Sequence, residues 1–517
     1  MPTSASPALT TSLAAALATG GLYFAAFPPL DVGVVAFVAL VPLLAVARRL
    51  PRRGAFLCGW LAGTVGIYAL VAPSIHEAAM RYAPAHPAVA WGLALVIPQV
   101  YGALYFGVFG VAVRLAAERR LSPLAELAVL PAAWVGCEVL RSQLGDGCPW
   151  VLLGHSQHSR LWLVQIADLG GVPAVSYMVA LVNVGLALLL RRAGAALGAR
   201  QRAGVAAVGL AVLAATWLYG AVQLQRWAQP AGPLLRVALV QGDVPDAWRY
   251  ELRRVPETLR RLGALTAQAM AQRPDLVVWP ENAVSVLLDE RASTVASAAA
   301  LLAPTSVLVL GAPRAVAQGE HVALRNSAFA VDAGGHVTGV YDKLRLTPFG
   351  ETYPLGLAAW FPPPAGGYSP GAELALLEVA GHRFAAVICY EAIYAGLVRR
   401  LVNAGGEFLV NISNDGWFGA QPSLAQHFHA VLFRAVENRR FVLRGTNAGI
   451  TAIVDPRGAV VAEAPRAAPA VLSGSVVPIA TRTFYTRAGD VFGWGCAALA
   501  AACLLRRRGR RRARAIA

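Results

Sequence analysis

Few residues in this chain have a type and setting suited to covalent chemistry. It holds one lysine among 45 basic residues, Lys343, within Tyr341-Asp342-Lys343-Leu344-Arg345-Leu346-Thr347-Pro348-Phe349-Gly350-Glu351. Arginine serves every other basic position. A guanidinium cannot stand in for a compact ammonium aimed at a small reacting centre, so the lone lysine is a candidate catalytic group. Cys389 ends the apolar run Phe384-Ala385-Ala386-Val387-Ile388 and precedes Tyr390-Glu391-Ala392-Ile393-Tyr394, where a buried strand breaks into a turn or helix. The strand would fix the sulfur, while N–H groups of the turn could lower the thiol pKa and receive an oxyanion. Glu281, in Val277-Val278-Trp279-Pro280-Glu281-Asn282, also follows an apolar strand and is placed to act as a general base. Taken singly, each has an ordinary explanation: a packed thiol, a helix N-terminal carboxylate, a surface lysine.

Such groups need a rigid layered domain to hold them, and the surrounding chain reads as one. Over residues 226–487, short β-rich runs alternate with helical patterns and Pro/Gly punctuation, the signature of an α/β domain. Candidate strands are Leu235–Gln241, Asp275–Trp279, Ser306–Gly311, Ser327–Val331, Phe384–Ile388, Phe408–Ile412 and Ile450–Val454. Candidate helices are Pro256–Ala271, Ser293–Leu302 and Pro422–Arg439. With no Walker loop and no GxGxxG after a strand, no nucleotide cofactor is expected. His427 and His429, one residue apart on a candidate helix, face different ways, and the six cysteines lack ligand spacing, so no metal is expected either.

The remainder is too apolar to be water-soluble: 57% of the chain is hydrophobic, 14% is charged, and the mean hydropathy is +0.53. Apolar stretches of spanning length lie near residues 9–27, 31–47, 55–73, 88–113, 124–140, 172–190, 204–225 and 488–505, about eight in all. The formal charge of +17 sits in arginine clusters at 48–53, 114–120, 191–202 and 506–514, in every second loop and the tail. That is the pattern of cytoplasmic loops and not of a nucleic-acid face, so both termini are expected in the cytoplasm and 226–487 outside it. Three regions follow: a membrane domain of about seven helices (1–225), an extracytoplasmic catalytic domain (226–487), and a last span with an arginine-rich cytoplasmic tail (488–517).

Glu281, Lys343 and Cys389, in that chain order, together resemble the Glu-Lys-Cys triad of the nitrilase or carbon-nitrogen hydrolase superfamily. Further motifs narrow the match: Val240-Gln241-Gly242-Asp243-Val244-Pro245 with Trp248, Pro348-Phe349-Gly350-Glu351, Cys389-Tyr390-Glu391, Asn411-Ile412-Ser413-Asn414-Asp415-Gly416-Trp417-Phe418-Gly419, Gln426-His427, and Arg444-Gly445-Thr446-Asn447-Ala448-Gly449. With Pro149-Trp150-Val151-Leu152-Leu153-Gly154-His155-Ser156-Gln157 in the apolar half, the chain resembles the bacterial apolipoprotein N-acyltransferase family over nearly its whole length. Asn282, Val284 and Gly445 depart from the family pattern, and none is a reacting group.

The resemblance implies an αββα sandwich and ping-pong acyl transfer without a cofactor. Cys389 would take an acyl chain from a phospholipid as a thioester, Glu281 would accept the thiol proton, and Lys343 with the Tyr390 N–H would bind the oxyanion. Glu351, Tyr390, Glu391, Trp248, Asn326 and Trp417 would support the site or bind substrate. The acceptor would be the α-amine of a diacylated lipoprotein, and the enzyme a monomer in the inner membrane. Aromatics at 360–364 and 417–418 could form lids. A triad alone does not choose between water and an amine, so an anchored amidase or nitrilase is the alternative.

Overall fold

A computed structural model describes residues 7–82, 87–145, 147–191, 197–245, 251–288, 293–319, 321–348, 350–352, 367–418 and 422–505. The apolar half contributes α1 (Pro7–Ala25), α2 (Val41–Ala47), α3 (Arg52–Tyr82), α4 (Pro87–Pro98), α5 (Leu104–Glu118), α6 (Pro123–Gln143), α7 (Leu161–Val164), α8 (Ala167–Leu189) and α9 (Ala199–Arg226). Each expected span coincides with an apolar helical segment. Among the described residues, five reach membrane-crossing length: Arg52–Met80, Pro87–Glu118, Pro123–Gln143, Ala167–Leu189 and Ala199–Arg226. The segments Leu9–Ala25, Gly33–Ala47 and Val491–Leu505 are shorter. Small residues let α3 and α5 approach closely: a Cβ on Gly59 of α3 would lie 2.2 Å from the Phe106 carbonyl oxygen of α5, and one on Gly110 would lie 2.2 Å from that of Ala55. On α9, Leu210, Trp217, Leu218 and Val222 stay exposed, as lipid-facing side chains would.

The second half is built on two six-stranded sheets. Their strands are β1 (Leu235–Gln241), β2 (Leu276–Val278), β3 (Val307–Gln318), β4 (His321–Val331), β5 (Val337–Asp342), β6 (Leu377–Val379), β7 (His382–Ile388), β8 (Leu409–Ser413), β9 (Val442–Thr446), β10 (Ala452–Val454), β11 (Val460–Glu463) and β12 (Ala470–Val476). One sheet runs in the order β12-β1-β2-β3-β4-β5 and the other β11-β10-β9-β8-β7-β6. Each has three parallel strands at its heart, β1, β2 and β3 in one and β7, β8 and β9 in the other, with antiparallel neighbours outside. The parallel strands are apolar runs buried on both faces, as strands covered on both sides must be.

Helices α10 (Val255–Met270) and α11 (Ala296–Ala299) flank the first sheet, and α12 (Ala395–Asn403) and α13 (Ser423–Asn438) the second. The last described elements are α14 (Phe484–Ala488) and α15 (Val491–Leu505), the latter packed back on α6. The helix expected over Ser293–Leu302 is only a short 3-10 turn followed by α11, because an alanine-rich run offers little apolar area for a longer helix to bury.

α13 is buried nearly all round because it lies between its sheet and the apolar half. Arg439, at its end, donates Nη2–H to Asp168 Oδ2 at 2.6 Å and Nη1–H to Gln165 Oε1 at 2.6 Å. At its start Gln426 accepts from Trp150 Nε1–H at 2.7 Å and donates Nε2–H to the Pro28 carbonyl at 3.0 Å. Ser74 of α3 hydrogen-bonds Ser423. These contacts bring helices of the apolar half to the edge of the catalytic sheets.

Candidate active site

The chemistry-bearing residues stand beyond the carboxyl ends of the parallel strands, where open α/β sheets bind their ligands. Glu281 follows β2 and Cys389 follows β7, while Lys343 follows the antiparallel β5, so all three read from sequence converge. Lys343 Nζ lies 3.2 Å from Glu281 Oε1 and 2.8 Å from Glu351 Oε2. It also donates to Thr347 Oγ1 at 3.3 Å. Asn326, on β4, donates both Nδ2 hydrogens, to Glu281 Oε1 at 2.8 Å and to Glu351 Oε1 at 2.7 Å. Glu281 Oε2 takes the Asn414 N–H at 3.0 Å, and Glu351 Oε2 the Thr347 N–H at 2.7 Å. All four side chains are buried, so each polar group needs these partners.

Burial would lower the Lys343 pKa, but the Glu281 and Glu351 carboxylates hold it above its ordinary value, which favours the charged ammonium. Burial likewise opposes ionisation of Glu351, yet Lys343 and Asn326 keep its carboxyl below the usual range. Cys389 adopts φ +51° at the strand-to-turn break, a left-handed conformation that is strained for a residue with a Cβ. Its thiol departs from the sequence-based expectation of a lowered pKa. Burial pushes it well up and Glu281 adds to this, with Lys343 only partly offsetting them. The cause is position: the sulfur sits in a dry pocket close to a carboxylate, and desolvation outweighs the turn's dipoles.

Two supporting residues do different things. Tyr390 stacks on Trp150, with ring centroids 6.1 Å apart, and both line the same cavity as Cys389. Glu391 turns away from that cavity. Its Oε1 accepts from the Leu344 N–H at 2.6 Å and the Arg345 N–H at 3.0 Å, its Oε2 from the Ile388 N–H at 2.8 Å, and Tyr341 donates its hydroxyl to both. It ties the lysine segment to the cysteine strand, and burial pushes its carboxyl up to about 7. Trp248 and the aromatics at 360–364 lie outside the described residues, as do the side chains of Trp417 and Phe418.

Behind the nucleophile runs a buried network to which sequence reading assigned no role. His427 Nε2 lies 3.2 Å from the Cys389 carbonyl oxygen, and its Nδ1 is 3.2 Å from Asp415 Oδ1 and 3.3 Å from Arg444 Nη2. Arg444 Nη2–H donates to Asp415 Oδ2 at 2.6 Å. Burial and the Arg444 charge hold the His427 pKa low. A neutral ring that donates from Nε2 to Cys389 and accepts at Nδ1 from Arg444 satisfies the geometry. The signal was present in Gln426-His427, Asn414-Asp415 and Arg444-Gly445, but sequence spacing does not reveal that they meet.

The cavity at Cys389 is mainly apolar and crosses between the two halves. Ile67, Val71, Leu93 and Ile97 of α3 and α4 form one wall, and Trp150, Thr347, Cys389 and Tyr390 form the other, with Arg141 and Cys148 at the side.

Known proteins match both halves. Residues 19–185 fit the model for the apolipoprotein N-acyltransferase N-terminal domain, and residues 236–483 the model for the carbon-nitrogen hydrolase family. The apolipoprotein N-acyltransferase of Geobacter metallireducens is 35% identical over 504 residues, 95% of each chain. That of Azotobacter vinelandii is 35% identical over 515 residues, 96% of each chain, and that of Pseudomonas syringae 31% identical over 95% of this chain and 94% of its own. A match that runs through apolar helices and catalytic sheets alike places the chain in the apolipoprotein N-acyltransferase family.

Proposed function

We propose that the protein is a membrane-bound apolipoprotein N-acyltransferase that moves a fatty acyl chain from a phospholipid to the α-amine of an N-terminal diacylglyceryl-cysteine, through a thioester on Cys389. The observation that carries this reading is the cavity, whose apolar wall from α3 and α4 leads to the thiol. A soluble hydrolase of small amides has no use for such a wall, whereas an acyl chain leaving the bilayer loses little hydrophobic free energy by entering it.

The resting thiol is protonated, so its proton has to leave as the sulfur attacks. Cys389 Sγ adds to the ester carbonyl of the donor while Glu281 takes the proton. The developing oxyanion is met by the Lys343 ammonium, which Glu281 and Glu351 hold in place, and by backbone N–H at the turn. Collapse expels the lysophospholipid alkoxide, which recovers the proton from Glu281. In the second half the lipoprotein amine attacks the thioester carbon, gives its proton to Glu281, and the sulfur leaves and is reprotonated. Asn326 orients both carboxylates throughout.

The catalytic sheets lie on the outer side of a bacterial inner membrane, with the termini inside and the domain division at residues 225 and 487. The arginine-rich alternate loops support that orientation. The test is mass spectrometry of a diacylglyceryl-cysteine lipopeptide incubated with phospholipid and purified protein. A gain of one acyl mass on the α-amine, absent with Cys389→Ser, is expected. Release of free fatty acid or ammonia without acylated peptide would favour the hydrolase instead.

A further inference from the structure

His427 and His429 do part company as their spacing requires, and His429 meets two residues far away in sequence. Asp31 lies in the turn after α1, and His158 follows the short turn Leu153–Gln157. Asp31 Oδ2 is 3.6 Å from His158 Nε2 and 4.0 Å from His429 Nε2, and one ligand atom from each residue falls within 4.8 Å of the other two. The imidazoles are stacked, with centroids 3.4 Å apart and planes 15° apart. His429 is only 7% exposed and its Nδ1 has no hydrogen-bond partner among the described residues. Its Nε2 faces Asp31 across a gap too long for a hydrogen bond. A buried and a partly buried imidazole lying face to face beside a carboxylate, with the His429 Nδ1 unmet, are poorly explained by packing alone.

We propose that Asp31, His158 and His429 form a binding site for a divalent transition-metal ion of the zinc class, with an open fourth position for water. Tetrahedral zinc with bonds of about 2.0–2.2 Å sets its ligand atoms roughly 3.3–3.6 Å apart. The His158–Asp31 edge already has that length, and the His429 edge needs to close by about half an ångström. Opening the tilt between the rings turns both lone pairs toward one point beside Asp31. Arg160 and Arg466 are opposing features, because their charges reach Asp31 and His429 respectively.

The ion would staple three segments: the turn after α1, the chain at His158, and α13. It lies apart from the reacting groups, and its expected effect is to fix α13, which two residues earlier carries His427 against the Cys389 carbonyl. Thermal stability, not chemistry, is therefore the property it should change.

The test uses the full-length protein in detergent, stripped with EDTA and then loaded separately with Zn²⁺ and Co²⁺. Expected are about one zinc retained per chain after desalting, a melting midpoint raised by several degrees with zinc, and cobalt d–d bands without the near-ultraviolet band of thiolate ligation. Asp31→Asn and His158→Gln, at a half-exposed and a partly exposed side chain, should each lose the retained zinc and the melting shift while eluting as the wild type does. Wild type that retains no zinc overturns the proposal. Equal retention by both variants, or a cobalt–thiolate band, overturns it too and moves the metal to a cysteine.

Discussion

The Lys343 ammonium and the Glu281 carboxylate meet at 3.2 Å, both almost fully buried. A buried cation between two carboxyl groups is part of the fold as well as part of the reaction. Lys343→Met should therefore lower acyl transfer by about 10²–10³-fold, the usual cost of an oxyanion donor. It should also lower stability by about 3–5 kcal/mol, because two buried carboxyl groups lose their counter-charge. Lys343→Arg should restore part of the stability and little of the rate, since the planar guanidinium cannot occupy the ammonium's place. Melting curves beside lipopeptide acylation rates separate the two effects.

Asn326 is a positioning residue with a distinct signature. Asn326→Asp would set a third carboxyl group against Glu281 and Glu351 where a donor now stands. Activity should fall by about 10²-fold or more at neutral pH, a cost comparable to losing general-base help. It should recover partly in acid, where protonation restores one donor. A pH profile of the variant against wild type gives the answer, and parallel profiles would count against the role.

Acyl-chain fit should separate the cavity from the reacting groups. Val71 lines the same cavity as Cys389 from the far wall. Val71→Trp should cut thioester formation from a long-chain phospholipid by more than about tenfold, as overfilling an apolar pocket does. A short activated ester should still acylate Cys389. Equal loss with both donors would mean the cavity does not hold the chain.

The order of elements was largely legible in sequence, because strand ends and apolar runs are local signals. Glu281 and Cys389 could be picked out since each follows an apolar run, and Lys343 stood out by composition as the lone lysine, while the strand Val337–Asp342 that it follows was not read from sequence. The tertiary roles were not legible. Nothing local shows that Glu391 clamps Leu344 and Ile388, or that Asp415, His427 and Arg444 meet behind the thiol. The strands Val460–Glu463 and Ala470–Val476 were also missed, since at the sheet edges their half-exposed residues lack an apolar run. The expected lowering of the thiol pKa failed for a similar reason: sequence shows the turn but not how completely the sulfur is desolvated.

Acid stability should report the Asp415–Arg444 pair. Burial alone would raise the Asp415 pKa, but Arg444 and the Ser413 hydroxyl overcome it and hold the carboxyl well below the usual range. A depressed folded pKa adds stability above the unfolded value near 3.8, and that stability is lost as pH falls through the folded one. Asp415→Asn should melt well below wild type at pH 7, by about 3–5 kcal/mol, with Arg444 left unpaired. The gap should narrow steadily below about pH 4, as the Asp415 carboxyl of the unfolded wild-type chain takes up a proton that the folded one still refuses. Thermal melts in detergent from pH 7 to 3 measure it, and a gap independent of pH would contradict the assignment.

The junction between the halves offers a further check. Trp150 donates Nε1–H to Gln426 at 2.7 Å and stacks on Tyr390. Trp150→Phe keeps a ring but strips Gln426 Oε1 of that donor, which should cost about 1–3 kcal/mol. Acylation should slow with it, while an unchanged melting point and rate would show that the contact is dispensable.

The most direct test of the central claim is intact-protein mass spectrometry of the enzyme after incubation with phospholipid and no acceptor. The expected result is one added acyl group on the wild type, labile to hydroxylamine, discharged by diacylglyceryl-cysteine lipopeptide and absent from Cys389→Ser. An enzyme that acylates the lipopeptide without ever carrying the acyl mass, or a Cys389→Ser variant that carries it as a hydroxylamine-labile thioester all the same, would contradict a thioester on Cys389.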